Sequence, residues 1–142
     1  MDIYDTSSLA EFAEKFAAAV LSKKITPFSA RIWNEMTRFF GALRPTITTD
    51  PITGMPQCSI DIQPRKEEAT LAQVFQYLEQ ADKPCYVAFD EFQAIAEYPN
   101  DKMEAILRSF IQHLTNVHFV FAGSKQHVMQ QMFTAANRPF FQ

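Results

Sequence analysis

The chain has 142 residues, of which 47% are hydrophobic and 14 are Phe, enough apolar matter to bury the core of one domain. Its formal net charge of -3 excludes a general attraction to phosphate backbones or anionic membranes, and no dense basic patch compensates, so nucleic-acid binding is left without support. No apolar run approaches the ~20 residues that cross a bilayer, and the N-terminus lacks the basic start and apolar centre of a signal peptide.

Cys58 and Cys85 have no C-x-x-C partner, and His113, His118 and His127 lack zinc-ligand spacing. Two free thiols and a cytoplasmic location are therefore expected, with Cys85 a core residue.

In chain order, "MDIYD" offers only Ile3 and Tyr4 as strand-like residues, so the chain is expected to begin partway through an element. "TSSLAEFAEKFAAAVLSKK" then predicts a helix: Ser8 stands three residues before Glu11, the spacing of a capping box, and Leu9, Phe12, Phe16 and Val20 share one face. A second helix is predicted over "FSARIWNEMTRFFGAL", where Ile32, Met36, Phe39, Phe40 and Leu43 follow Pro27 at helical spacing. Between about 45 and 64 the pattern switches to alternation, with Ile47, Cys58, Ile60 and Ile62 separated by polar residues and "DPITGM" supplying turn chemistry. This predicts a β-hairpin insertion within a single partial domain spanning 1–142.

Leu71, Val74, Phe75 and Leu78 return the chain to a helix, and Pro84 precedes the strand "CYVAF". "DKMEAILRSFIQHL" is amphipathic, "VHFVFAGS" is a second apolar strand, and "SKQHVMQQMF" closes with a helix whose Met and Phe residues are core or partner-facing. Two apolar strands separated by a helix make a βαβ unit. The expected fold class is therefore α/β, a three-layer sandwich with a partial parallel sheet covered by helices on both faces.

In such a sheet, ligands bind outside the carboxyl ends of the strands, and Asp90 and Glu91 end one strand while Ser124 ends the next. An apolar strand running into Asp-Glu is the Walker B pattern: Asp90 is the candidate Mg²⁺ ligand and Glu91 the candidate base for the attacking water. Ser124 is the candidate sensor of the γ-phosphate. Two ordinary alternatives stand beside this. Acidic residues favour the first turn of a helix, which "DEFQAIAEY" would start, and Ser after Gly is a common helix cap.

"CYVAFDEFQAI" followed by "HFVFAGS" resembles the prokaryotic P-loop ATPases of the archaeal type, relatives of the AAA+ and STAND ATPases, in which D-E-F-Q closes the Walker B strand. The resemblance is specific mainly at 84–95 and 118–124. It implies an ATP-driven switch or remodelling core, usually within a longer multidomain chain, with ATP and Mg²⁺ as cofactors of the complete protein.

The departure lies in the phosphate-binding loop. A P-loop requires G-x-x-x-x-G-K-[ST], and none of Gly41, Gly54 and Gly123 is followed by Lys. The chain is thus expected to be a P-loop NTPase-like fragment, inactive alone and holding no nucleotide tightly. Its open strand edge at 117–122 is expected to drive self-association. A non-catalytic α/β interaction or scaffold domain is the alternative. A receiver-like phospho-acceptor domain fits less well, because its acidic pair should follow an earlier strand.

Two arginines and a lysine complete the candidates. Arg108 suits either an arginine finger or a solvated helix face, Arg138 either a nucleotide contact or a helix cap, and Lys125 either a phosphate contact or a surface position.

Overall fold

The computed structural model describes residues 1–22, 43–49, 51–52, 56–99 and 102–141. The helix expected over 28–43 lies almost wholly outside the described residues. The chain divides into two compact units, one formed by Met1–Phe12 with Phe75–Gln142 and the other by Ala13–Val74.

The Ala13–Val74 unit takes in most of helix α1 (Leu9–Ser22), strands β1 (Leu43–Thr49) and β2 (Pro56–Ile62), and the first half of helix α2 (Glu67–Glu79). Strands β1 and β2 form an antiparallel hairpin in a register that sets Leu43 opposite Ile62 and Thr46 opposite Ser59. Phe16, Leu21, Ile62, Leu71 and Val74 are buried in this unit. Arg65 adopts a positive φ of 67° at the turn into α2, where its N–H donates to Glu67 Oε1 at 3.1 Å. That bond ties the residue before the N-cap to the first turn of the helix.

The other unit is built around a parallel pair. Strand β3 (Cys85–Phe89) lies beside β4 (Val117–Phe121), with Cys85 opposite Val117 and Phe89 opposite Phe121. On the far side of β3 the first residues of the chain add a short parallel segment. The Asp90 N–H donates to Met1 O at 2.9 Å, the Ile3 N–H donates to Asp90 O at 3.1 Å, and the terminal ammonium donates to Ala88 O. Among the described residues β4 pairs with β3 alone, so its outer edge is open.

The start of α1 follows from its sequence. Ser8 Oγ accepts the Glu11 N–H at 3.3 Å, while the Glu11 carboxylate reaches back to the N–H and hydroxyl of Ser7 at 2.7 and 2.8 Å. The reciprocal pairing is that of a capping box with its returning bond displaced by one residue. A second anchor sets β4 against β3. The Glu79 carboxylate, at the end of α2, accepts the Thr115 N–H and hydroxyl and the Asn116 N–H, while Asn116 Nδ2 donates to the carbonyls of Glu79 and Ala81. These donors, the Thr115 hydroxyl foremost, hold the Glu79 carboxyl below its usual range. The stabilisation it supplies is therefore present above the unfolded-state pKa and lost as pH falls through the folded one.

Side chains alternate across β3 and β4, and the two faces differ. Phe89 is fully buried, with the rings of Phe12, Phe92, Phe119 and Phe121 centred 5.5 to 6.2 Å away. Phe75 of α2 meets Phe119 on the same face, and beside it lies Phe110 of helix α3 (Met103–Ile111). Phe133 of helix α4 (Gln126–Thr134) and Phe140 close over Phe121. Cys85, expected in the core, is only half-buried, because it stands at the first position of β3. The opposite face carries Tyr86 and Val120, which are 77% and 55% exposed, and Tyr86 stacks on His118. The rings contributed by α1 to α4 thus gather on one face of the pair, and among the described residues the other is open. No helix among the described residues is long and apolar enough to cross a membrane.

Candidate functional site

The parallel ladder does not stop at the ends of β3 and β4. The Ala122 N–H donates to Phe89 O and the Phe92 N–H donates to Ala122 O, both at 2.9 Å, so Asp90 and Glu91 are spanned by main-chain bonds to the neighbouring strand's extension. Within that span Glu91 takes the left-handed conformation, φ 56° and ψ 38°. For a residue with a Cβ this costs roughly 1–2 kcal/mol. The strain throws the Glu91 side chain away from the strand direction and toward Ala122–Ser124.

There it meets two donors. Ser124 Oγ donates to Glu91 Oε2 at 2.8 Å, and Gln93 Nε2 donates to the same oxygen. The Ser124 hydroxyl first, and then the Gln93 amide, hold the Glu91 carboxyl below its usual range, so it is ionised at neutral pH. Asp90 is exposed, and its Oδ1 accepts the Glu91 N–H at 3.0 Å. The two sequence candidates from separate strands, Glu91 and Ser124, are brought into direct contact, with Asp90 beside them at the rim.

The helix-start alternative stands beside this: a short 3-10 helix, Phe92–Glu97, does follow with Glu91 at its N-cap position, although its first turn holds no acidic residue and the Glu91 side chain does not cap it. Ser124 likewise does not cap α4: the residue at that position is Lys125, again without a side-chain cap bond, and the serine hydroxyl is engaged by Glu91.

Two further residues belong to the site. Gln93 is 3% exposed, and its Oε1 is buried with no hydrogen-bond partner. An unsatisfied buried acceptor costs about 1–3 kcal/mol, so the amide is held in place by what its other end does. Exchanging the amide's O and N would put oxygen against the Glu91 carboxylate, which fixes the assignment. Room for Oε1 comes from Gly123, where an added Cβ would sit 2.0 Å from that oxygen and 2.9 Å from Met129 Sδ. The sequence carries a signal for Gln93, a lone amide among Phe92, Ala94 and Ile95, but nothing local says what it touches.

The remaining candidates lie elsewhere. Arg138 Nη2 pairs with Glu104 Oε1 at 2.7 Å, and burial outweighs the arginine to push the Glu104 carboxyl up. Arg108 donates from Nε to Gln112 Oε1 at 3.4 Å and, with Ile111, Phe121, Phe133 and Phe140, lines a groove of about 500 Å³. Lys125 pairs with Glu97, which raises its pKa.

Among the described residues no group of three His, Cys, Asp or Glu side chains is placed to hold a metal ion by itself. Mg²⁺ is usually bound through one or two carboxylates, with waters and substrate phosphates completing the shell. The exposed Asp90 beside an ionised Glu91 fits that mode and not an all-protein cage. No family model, characterised protein or solved structure matches the chain.

Proposed function

We propose that this chain carries the metal-and-water half of a P-loop-type nucleoside-triphosphate hydrolysing core, the three-layer architecture being completed by segments that contribute the phosphate-binding loop. The observation that supports this is the Ser124–Glu91 hydrogen bond at the carboxyl ends of two adjacent parallel strands, where open α/β sheets bind ligands. In this role Asp90 is the Mg²⁺ ligand. The bound metal neutralises charge on the β- and γ-phosphates. Glu91 has Oε2 committed to Ser124 and Gln93, which leaves Oε1 to accept a hydrogen bond from the attacking water. A carboxylate held below its usual pKa is a weak base, so orientation of the water is its larger contribution. The Ser124 hydroxyl reads the γ-phosphate, and a phosphate oxygen there would compete with Glu91 for it.

The sequence contains no glycine-rich G-K-[ST] loop, whose amides and Lys supply most phosphate-binding free energy. These 142 residues alone are therefore expected to show no useful Mg-ATP binding in calorimetry at millimolar nucleotide. A dissociation constant in the low micromolar range would overturn the dependence on a missing loop.

That second reading has its own observation, the open edge of β4 beside an exposed sheet face bearing Tyr86 and Val120. Unpaired N–H and C=O groups on such an edge recruit another strand, and the self-complementary candidate is β4 of a second copy across a two-fold axis. Light scattering at tens of micromolar is expected to show a dimer that Val120→Lys weakens. A strictly monomeric wild type rules the pairing out.

A further inference from the structure

We infer that Gln93 is a positioning residue for Glu91, and that Gly123 is the space that lets it be one. The inference deepens the assignment of Glu91 as the water-orienting group and rests on it. Three observations converge. Gln93 Nε2 donates to Glu91 Oε2, the same oxygen that takes the Ser124 hydroxyl. Its Oε1 is buried without a partner in a residue that is 3% exposed, so burial of this amide does not satisfy the amide itself. A Cβ on Gly123 would stand 2.0 Å from that orphaned oxygen, although Gly123 has no positive φ that would call for glycine.

A glutamate in the left-handed region has few ways to hold its carboxylate still. With one donor, Ser124, the carboxylate can pivot about a single bond. A second donor, from a residue buried along with Phe92 and Ile95 in the 3-10 helix, restricts that freedom. When a phosphate draws Ser124 away, Gln93 is the donor that keeps Glu91 aimed.

The test begins with the wild-type chain. In NMR spectra at one neutral pH the Gln93 side-chain amide is expected to show the downfield shift and slow exchange of a buried donor to a carboxylate, and to lose both in Glu91→Ala. In Gln93→Met, which keeps length and loses the donor, the Glu91 side chain should become more mobile and its contact with Ser124 should weaken, because one of its two donors is gone. Gly123→Ala should reproduce that loss of order by displacing the amide. In the hydrolysing protein that contains the chain, Gln93→Met should lower kcat by about tenfold to a hundredfold with KM for nucleotide unchanged, as expected when a reacting group is misaimed.

A Gln93 amide unchanged by Glu91→Ala, or a Glu91 side chain as ordered in Gln93→Met as in the wild type, overturns the inference even if one variant fails to fold. A coupled Gln93 and Glu91 in a protein whose Glu91→Gln variant hydrolyses normally overturns instead the role of Glu91. The Gln93 contact would then be only a structural bond.

Discussion

On the proposed function, Glu91→Gln in a nucleotide-hydrolysing assembly that includes these residues is expected to slow hydrolysis by roughly 10² or more while leaving nucleotide binding nearly intact. The substitution is well matched to the geometry. A glutamine carbonyl at position 91 still accepts from Ser124 Oγ and Gln93 Nε2, so the side chain stays where the two donors hold it. What changes is the atom facing the water, which becomes an N–H₂ donor and no longer an acceptor. Water then loses its orientation and its proton acceptor together. Asp90→Ala acts on a different step: it removes the exposed carboxylate at the rim and should weaken Mg²⁺-dependent nucleotide binding by as much as that carboxylate contributes to holding the ion. Single-turnover kinetics with calorimetry separate the two effects. Normal turnover in Glu91→Gln would return the acidic pair to a purely structural role.

Phe89→Ala is expected to destabilise the unit containing the site by about 3 to 5 kcal/mol, the range for removing a buried Phe and leaving its cavity. Phe89 is fully buried and touches rings from α1, from the 3-10 helix and from β4. Those neighbours belong to separate segments and cannot all collapse into one vacated space. Against a typical total stability of about 5 to 15 kcal/mol, such a loss leaves a large unfolded population. Tyr86→Ala is the matched control: it deletes an aromatic side chain from the same strand, but one that is 77% exposed, and should stay within about 1 kcal/mol. Urea denaturation followed by near-UV circular dichroism reads both. A loss below about 1 kcal/mol for Phe89→Ala would mean that the aromatic face does not form the core.

Because Phe89 directly precedes Asp90, the same variant ties packing to chemistry. The ladder bond from the Ala122 N–H to Phe89 O is one of the two that span the acidic pair. Loosening Phe89 should therefore blur the left-handed turn at Glu91 before the whole unit unfolds. Loss of the Glu91–Ser124 coupling at denaturant concentrations where secondary structure persists is the expected sign.

What the sequence determined by itself is local in origin. Ser8 and Glu11 start α1 because a hydroxyl and a carboxylate three residues apart reach the first orphaned amides whatever the rest of the chain does. The apolar runs at 85–89 and 117–121, with an amphipathic helix between them, suit a parallel pair, and that pairing carries Asp90, Glu91 and Ser124 to one rim. Tertiary structure alone decided what those residues touch. Glu91 leaves the strand through a left-handed turn flanked by bonds to Ala122, and Ser124, 33 positions away, meets it there. Gln93 and Gly123 are 30 positions apart by number, and no periodicity links an amide to the missing Cβ that admits it. Arg138 was legible as a cation but not as the partner of Glu104, and Glu79 as a helix residue but not as the anchor of Thr115 and Asn116. The same holds for the strands' two faces: Val120 and Phe119 look alike in an apolar run, and the packing of Phe75 and Phe89 against Phe119 marks the covered side, with Val120 exposed on the other. Propensity and capping act within a few residues, whereas burial and side-chain pairing depend on which distant segments the folded chain brings together.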